Sequence, residues 1–207
     1  MQLLIALSLV LAWAVWRGGV NHTRLMRSLM GTLEAHFPQA EHDYVRLTSS
    51  GVGFEFSPPL PEGITSLRGT LTVLPRYSPL YVPLARALGR RDLMRITFLV
   101  EAMPLGIGTL RRATNTPILF DTTNDDPDLD QCQVDVGDAS FTIFCYNPAV
   151  RRRLESLADL VAPCKEIIQI HYTHEDSSIT CFLIPEPENL KNILSTTIDS
   201  VFFLTSE

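Results

Sequence analysis

The chain has 207 residues, enough for one ordinary domain or two small lobes, and 45% of its side chains are apolar against 19% charged. That composition excludes extended disorder, collagen and a disulfide-dense miniprotein as descriptions of the whole chain. The net charge of -6 is unevenly spread: residues 1–115 hold 12 Arg against 7 acids, and residues 116–207 hold 5 basic against 16 acidic side chains.

Met1 to Trp16 is almost wholly apolar, with Gln2 and Ser8 the polar exceptions. As helix, the stretch to Val20 spans about 30 Å, the thickness of a hydrocarbon core, with Arg17 snorkelling outward and Trp13 and Trp16 suited to an interfacial belt. Residues 1–20 are therefore expected to form a transmembrane anchor. Arg17, Arg24 and Arg27 follow the apolar run and no Lys or Arg precedes it, so the soluble domain of a single-pass protein is expected on the cytoplasmic side. The competing reading is a cleaved signal peptide with a loose Ala12-Trp13-Ala14 site, which makes the rest an extracytoplasmic lipid- or peptide-binding module.

Leu25, Leu29, Leu33 and Phe37 recur every four residues and predict an amphipathic helix over residues 23–37. Strands are expected at Tyr44 to Leu47, Val52 to Phe56 and Leu67 to Val73, separated by Ser49-Ser50-Gly51 and the Pro58-Pro59 loop. A short helix is expected at Leu80 to Leu88 and a long apolar strand at Leu93 to Met103. Gly106 to Thr109 is ambiguous, a helical turn is expected at Leu110 to Ala113, and a short strand at Ile118 to Phe120. Residues 121–138 are expected to be an acidic loop. A strand follows at Phe141 to Tyr146. Asn147-Pro148 announces a helix by the cap-plus-proline signal, with Val150, Leu154, Leu157 and Val161 on one face. Two more strands, Ile167 to Tyr172 and Ile179 to Ile184, precede a terminal helix carrying Leu190, Ile193, Leu194, Ile198 and Val201. The expected fold class is α+β: a transmembrane helix, then a mainly antiparallel-sheet domain with packed helices. The acidic loop is expected to be the seam between one lobe over residues 21–120 and another over residues 139–207.

No catalytic signature stands out. Asp126, Asp128 and Asp130 have the 1-3-5 spacing of a calcium loop, but Gln131 and Gly137 occupy the positions that need Gly and Glu. His171 and His174 alternate to opposite sides of a strand. Gly106-x-Gly108 lacks a third glycine, and Cys132, Cys145, Cys164 and Cys181 form no C-x-x-C pair, so they read as reduced thiols. No catalytic residue, metal ligand or cofactor is expected. The residues expected to touch anionic lipid headgroups or RNA phosphates are Arg17, Arg24, Arg27, Arg90, Arg91, Arg111 and Arg112.

Gly69-Thr70-Leu71-Thr72-Val73-Leu74, Pro75-Arg76, Leu80, Leu84-Ala85-Arg86, Asp92, Ile96, Ile107-Gly108-Thr109 and Arg111-Arg112-Ala113 resemble the globular domain of the calumin family over about residues 65–115. That family is translocon-associated and belongs to the PAT chaperone complex. The resemblance implies a non-enzymatic, membrane-anchored adaptor or chaperone that assists membrane-protein insertion. The partners it implies are the membrane, translocon subunits, the ribosome or nascent membrane proteins, and no DNA. The acidic luminal segment and the Lys/Arg-rich coiled-coil tail of the family have no counterpart here, so contacts made through them do not transfer.

Overall fold

The computed structural model describes residues 2–48, 50–78, 81–101, 106–114 and 129–206. The chain runs α1 (Gln2–His36), β1 (Glu41–Thr48), β2 (Gly51–Ser57), β3 (Ile64–Thr72), α2 (Tyr81–Ala87), β4 (Leu93–Val100), β5 (Ile107–Arg112), β6 (Asp130–Val136), β7 (Ala139–Cys145), α3 (Pro148–Val161), β8 (Ile167–Thr173), β9 (Ser178–Leu183) and α4 (Leu190–Thr205). The strands make one nine-stranded sheet in the order β1-β2-β3-β4-β9-β8-β5-β7-β6. Every pairing among the described residues is antiparallel.

Alternation along the strands gives the sheet two unlike faces. Leu67 and Leu71 of β3 stand opposite Phe98 and Met94 of β4, and Ile96 and Phe98 stand opposite Cys181 and Ile179 of β9. The same face continues through Ile170 and Tyr172 of β8 to Leu110 of β5 and Ile143 of β7. All of these side chains are buried. Helices α1, α4 and α3 cover this face side by side, with α4 touching both of the others. The opposite face carries polar neighbours: Thr97 bonded to Thr180 at 3.0 Å, Thr109 to His171 at 2.8 Å, and Arg111 donating to Gln169 at 3.1 Å.

Local signals explain several boundaries. Asn147 caps α3, its side chain accepting from the Val150 N–H at 2.8 Å, and Pro148 occupies the first turn, where a missing N–H costs nothing. Leu29, Leu33 and Phe37 anchor the second half of α1, Phe37 lying 5.6 Å from the Phe56 ring. The Tyr44 hydroxyl donates to Glu34 at 2.9 Å and ties α1 to the edge strand. Burial, then that carboxylate, push the Tyr44 phenol well above its ordinary range.

The structure corrects several expectations. Among the described residues no helix is long and apolar enough to cross a membrane, so the expected transmembrane anchor over residues 1–20 does not hold. The expected anchor and the expected amphipathic helix are one continuous element. Its apolar stretch before Arg17 covers about 22 Å of axis, short of the roughly 30 Å of a hydrocarbon core. From Gly18 onward α1 is packed against the rest of the domain. The single-pass localisation with a cytoplasmic domain falls with that span, as do the membrane-insertion, chaperone and translocon roles attached to it. The helical turn expected at Leu110 to Ala113 is part of strand β5, because pairing with β7 on one side and β8 on the other overrides a weak local preference. Residues 130–136, expected within the acidic loop, form edge strand β6, with Cys132, Val134 and Val136 alternating against exposed Gln131, Gln133 and Asp135. The expected strand at Ile118 to Phe120 lies outside the described residues, as does most of the acidic stretch. Strands from before and after that stretch interleave in the sheet, β5 lying between β7 and β8.

Gly69 faces the helix-covered side, where the Phe54 ring lies across it. A Cβ there would meet that ring and would come 2.5 Å from the Arg95 carbonyl oxygen. Gly53, on the paired strand, would meet nothing nearer than 3.6 Å. Gly69→Ala is expected to lower unfolding stability by about 2 kcal/mol through overpacking, with Gly53→Ala changing it by less than about 0.5 kcal/mol. Urea midpoints at constant m-value measure both.

Candidate functional site

The connection after β3 is pinned before it meets α1. Asp92 accepts from the Leu74 N–H at 2.7 Å and from both terminal nitrogens of Arg76, at 2.7 and 3.3 Å. This bidentate pair is partly buried, which makes its geometry more specific than a surface contact. It sets Arg76 and Tyr77 against α1. The helix passes so close to the Arg76 carbonyl that only a glycine fits at Gly18. One turn on, the His22 ring meets Tyr77 edge-on at 5.8 Å. His22 is buried, and its Nδ1 has no hydrogen-bond partner among the described residues.

Beside this contact runs a groove of about 600 Å³. One end is apolar, made by Val15, Trp16 and Val20; the other is cationic, made by Arg24 and Arg27; Tyr77 forms the far wall. Trp16 to Arg27 spans about 16 Å along the axis at 1.5 Å per residue. The groove is shallow and open to solvent along the helix, with Val15, Trp16 and Val20 all exposed. Arg17 does not line the groove; its guanidinium sits 5.1 Å over the Trp13 ring. Beyond the groove, Ile5, Leu9, Val10, Leu11 and Trp13 are all more than a third exposed, and together they go round the helix rather than forming one stripe. These side chains form an apolar surface that packing within the domain leaves exposed.

Of the seven arginines expected to meet anions, Arg24 and Arg27 come together at this groove. Arg90 donates to the Tyr81 hydroxyl at 3.0 Å. Arg91 borders a smaller cleft of about 220 Å³ with Arg76, Arg86, Asp92 and Glu186, where two acids offset part of the positive charge and Asp92 is already paired with Arg76. Arg111 and Arg112, adjacent in sequence, go to opposite faces of β5. Arg111 lies 5.2 Å over Phe144 on the polar face. Arg112 is buried among backbone carbonyls: it donates to Val161 at 2.8 Å, Cys164 at 3.0 Å, Ala162 at 3.1 Å and Ile167 at 3.3 Å, and stacks 4.6 Å from the Phe141 ring. It caps the carbonyl end of α3. Burial pulls its pKa below the ordinary value, opposed by Cys164 and Glu166.

Among the described residues no group of three or more His, Cys, Asp or Glu side chains is placed to hold a metal ion. Asp130 opens β6, while Asp126 and Asp128 lie outside the described residues. Ala12-Trp13-Ala14 sits inside α1. The groove residues that sequence reading did not assign to a site include Val15, Gly19, Val20, Thr23 and Tyr77; a tyrosine in a proline-bounded loop carries no local sign of the helix it meets. No protein-family model matches the chain, and no curated protein matches it.

Arg112→Met strands several buried carbonyls and is expected to cost about 3 kcal/mol. Arg111→Met, on the opposite face, is expected to cost less than about 1 kcal/mol. Equilibrium urea unfolding distinguishes them, and equal costs contradict the capping role.

Proposed function

We propose that this protein is a non-enzymatic binding module whose ligand is an anionic amphiphile, an acyl chain ending in a carboxylate or phosphate. The observation that carries the reading is the polarity gradient along the α1 groove: Val15, Trp16 and Val20 at one end, Arg24 and Arg27 at the other. Burying an alkyl chain against the apolar end gains about 25 cal/mol per Å² removed from water. The acidic head reaches two guanidinium groups that make charge-assisted hydrogen bonds. Such a ligand also covers part of the otherwise bare apolar helix.

A second reading is an adaptor that docks an apolar segment of a partner protein. Ile5, Leu9, Val10 and Leu11 favour it, because they are exposed and lie outside the groove. The two readings separate by mutation: Leu9→Asp with Leu11→Asp removes partner docking and leaves amphiphile binding intact.

Of the two tryptophans, Trp16 lines the apolar end of the groove and reports its occupancy, while Trp13 lies beyond it, so titrations are read in a Trp13→Phe background. Laurate and dodecyl phosphate, titrated below their micellar concentrations, are expected to shift tryptophan emission to the blue. Arg24→Glu with Arg27→Glu is expected to weaken binding at least about tenfold, about 1.4 kcal/mol. An equal response to dodecylphosphocholine, or no effect of the charge reversal, rejects the anionic ligand.

A further inference from the structure

Cys132 and Cys145 lie on neighbouring antiparallel strands at the edge of the sheet. Cys132 stands opposite Ile143, and Cys145 stands opposite Asp130, so the two thiols are diagonal neighbours on the same face. They border a cleft of about 360 Å³ where α3 begins, together with Arg151 and Asn147. Cys145 is buried and Cys132 half-buried, and both are free thiols. The other two cysteines, Cys164 and Cys181, are absent from this cleft.

Diagonal neighbours have Cα atoms about 7–8 Å apart, whereas a disulfide needs roughly 4.4–6.8 Å. Two metal–thiolate bonds of about 2.3 Å in line separate the sulfurs by about 4.6 Å, which a diagonal pair accommodates. A tetrahedral zinc site needs four ligands, and among the described residues no group of three is assembled. Soft thiolates favour monovalent copper.

We propose that Cys132 and Cys145 form a two-thiolate site for a monovalent soft cation of the copper(I) class. On binding, each S–H bond gives its proton to solvent, two metal–sulfur bonds form and no electron moves. The bound group carries a net charge of -1, from two thiolates and one cation. Arg151 and the N-terminus of α3 face that charge favourably. Asp130 of β6 opposes it, and Glu155 offsets part of Arg151 through a 2.8 Å ion pair. Burial, then Cys132 and Asp130, hold the Cys145 thiol above its ordinary range, while Arg151 and a backbone hydrogen bond from Asn147 act the other way. Proton release makes affinity rise with pH.

The test uses the reduced full-length chain under anaerobic conditions, with copper(I) presented as its bicinchoninate complex and transfer read from the loss of that complex's absorbance. One equivalent is expected to transfer. Cys132→Ser and Cys145→Ser are each expected to weaken uptake at least about tenfold, while Cys164→Ser leaves it unchanged. Apparent affinity is expected to rise by up to about a hundredfold per pH unit below the thiol pKa values, since two protons leave. A second measurement needs no variant: iodoacetamide labelling of Cys132, mapped by mass spectrometry, slows when copper(I) is bound. Unchanged uptake by Cys132→Ser, or labelling indifferent to the ion, overturns the site.

Discussion

Burial of one sheet face beneath three helices is the interaction on which the rest of the structure depends. Leu67, Met94, Ile96, Phe98, Ile170, Tyr172, Ile179 and Cys181 make that face, drawn from strands before and after the acidic stretch. A strand displaced by one residue would turn its apolar set toward the polar face, so the register is strongly specified. The same constraint requires Gly69 beneath Phe54 and Gly108 beneath α3, where a Cβ would meet Val150, Leu154 and Tyr172. The cysteine thiols buried in this core are deterred from ionising: burial pushes Cys181 up to about 12, and burial with Glu166 pushes Cys164 up to about 11.

Helix α1 is divided in its surroundings, not in its backbone. From Gly18 onward it belongs to the domain through Arg76, Tyr77, Glu34 and Phe37. Before that point Ile5, Leu9, Val10, Leu11, Trp13, Val15 and Trp16 stand in the open. The groove arises at the junction, where the β3–α2 connection, clamped by Arg76 and Asp92, supplies the second wall. The groove therefore lies where packing against the domain gives way to exposed apolar side chains.

The arginines show how tertiary context divides one residue type among several tasks. Arg112 serves as a structural cap, Arg76 as a loop clamp, and Arg24 and Arg27 as the exposed cationic end of a groove. Net charge and clustering in the sequence do not separate these roles, because a guanidinium's use depends on what lies within hydrogen-bond reach. Adjacent Arg111 and Arg112 illustrate the point: strand geometry alone sends them to opposite faces.

The sequence by itself determined what short-range periodicity and capping encode. The cap and proline at Asn147-Pro148, the apolar stripes of α3 and α4, and the strands around Leu67, Ile96 and Ile179 are legible without a structure, because each is set by residues within a turn or two. The pairing that makes Leu110-Arg111-Arg112 a strand, the edge strand at Asp130–Val136, and the extent of α1 committed to the domain were decided only by tertiary structure. So were Tyr77 as a groove wall and the meeting of Cys132 with Cys145. Each of these depends on partners tens of residues away, and local sequence carries no energy term for a contact whose other half is so distant.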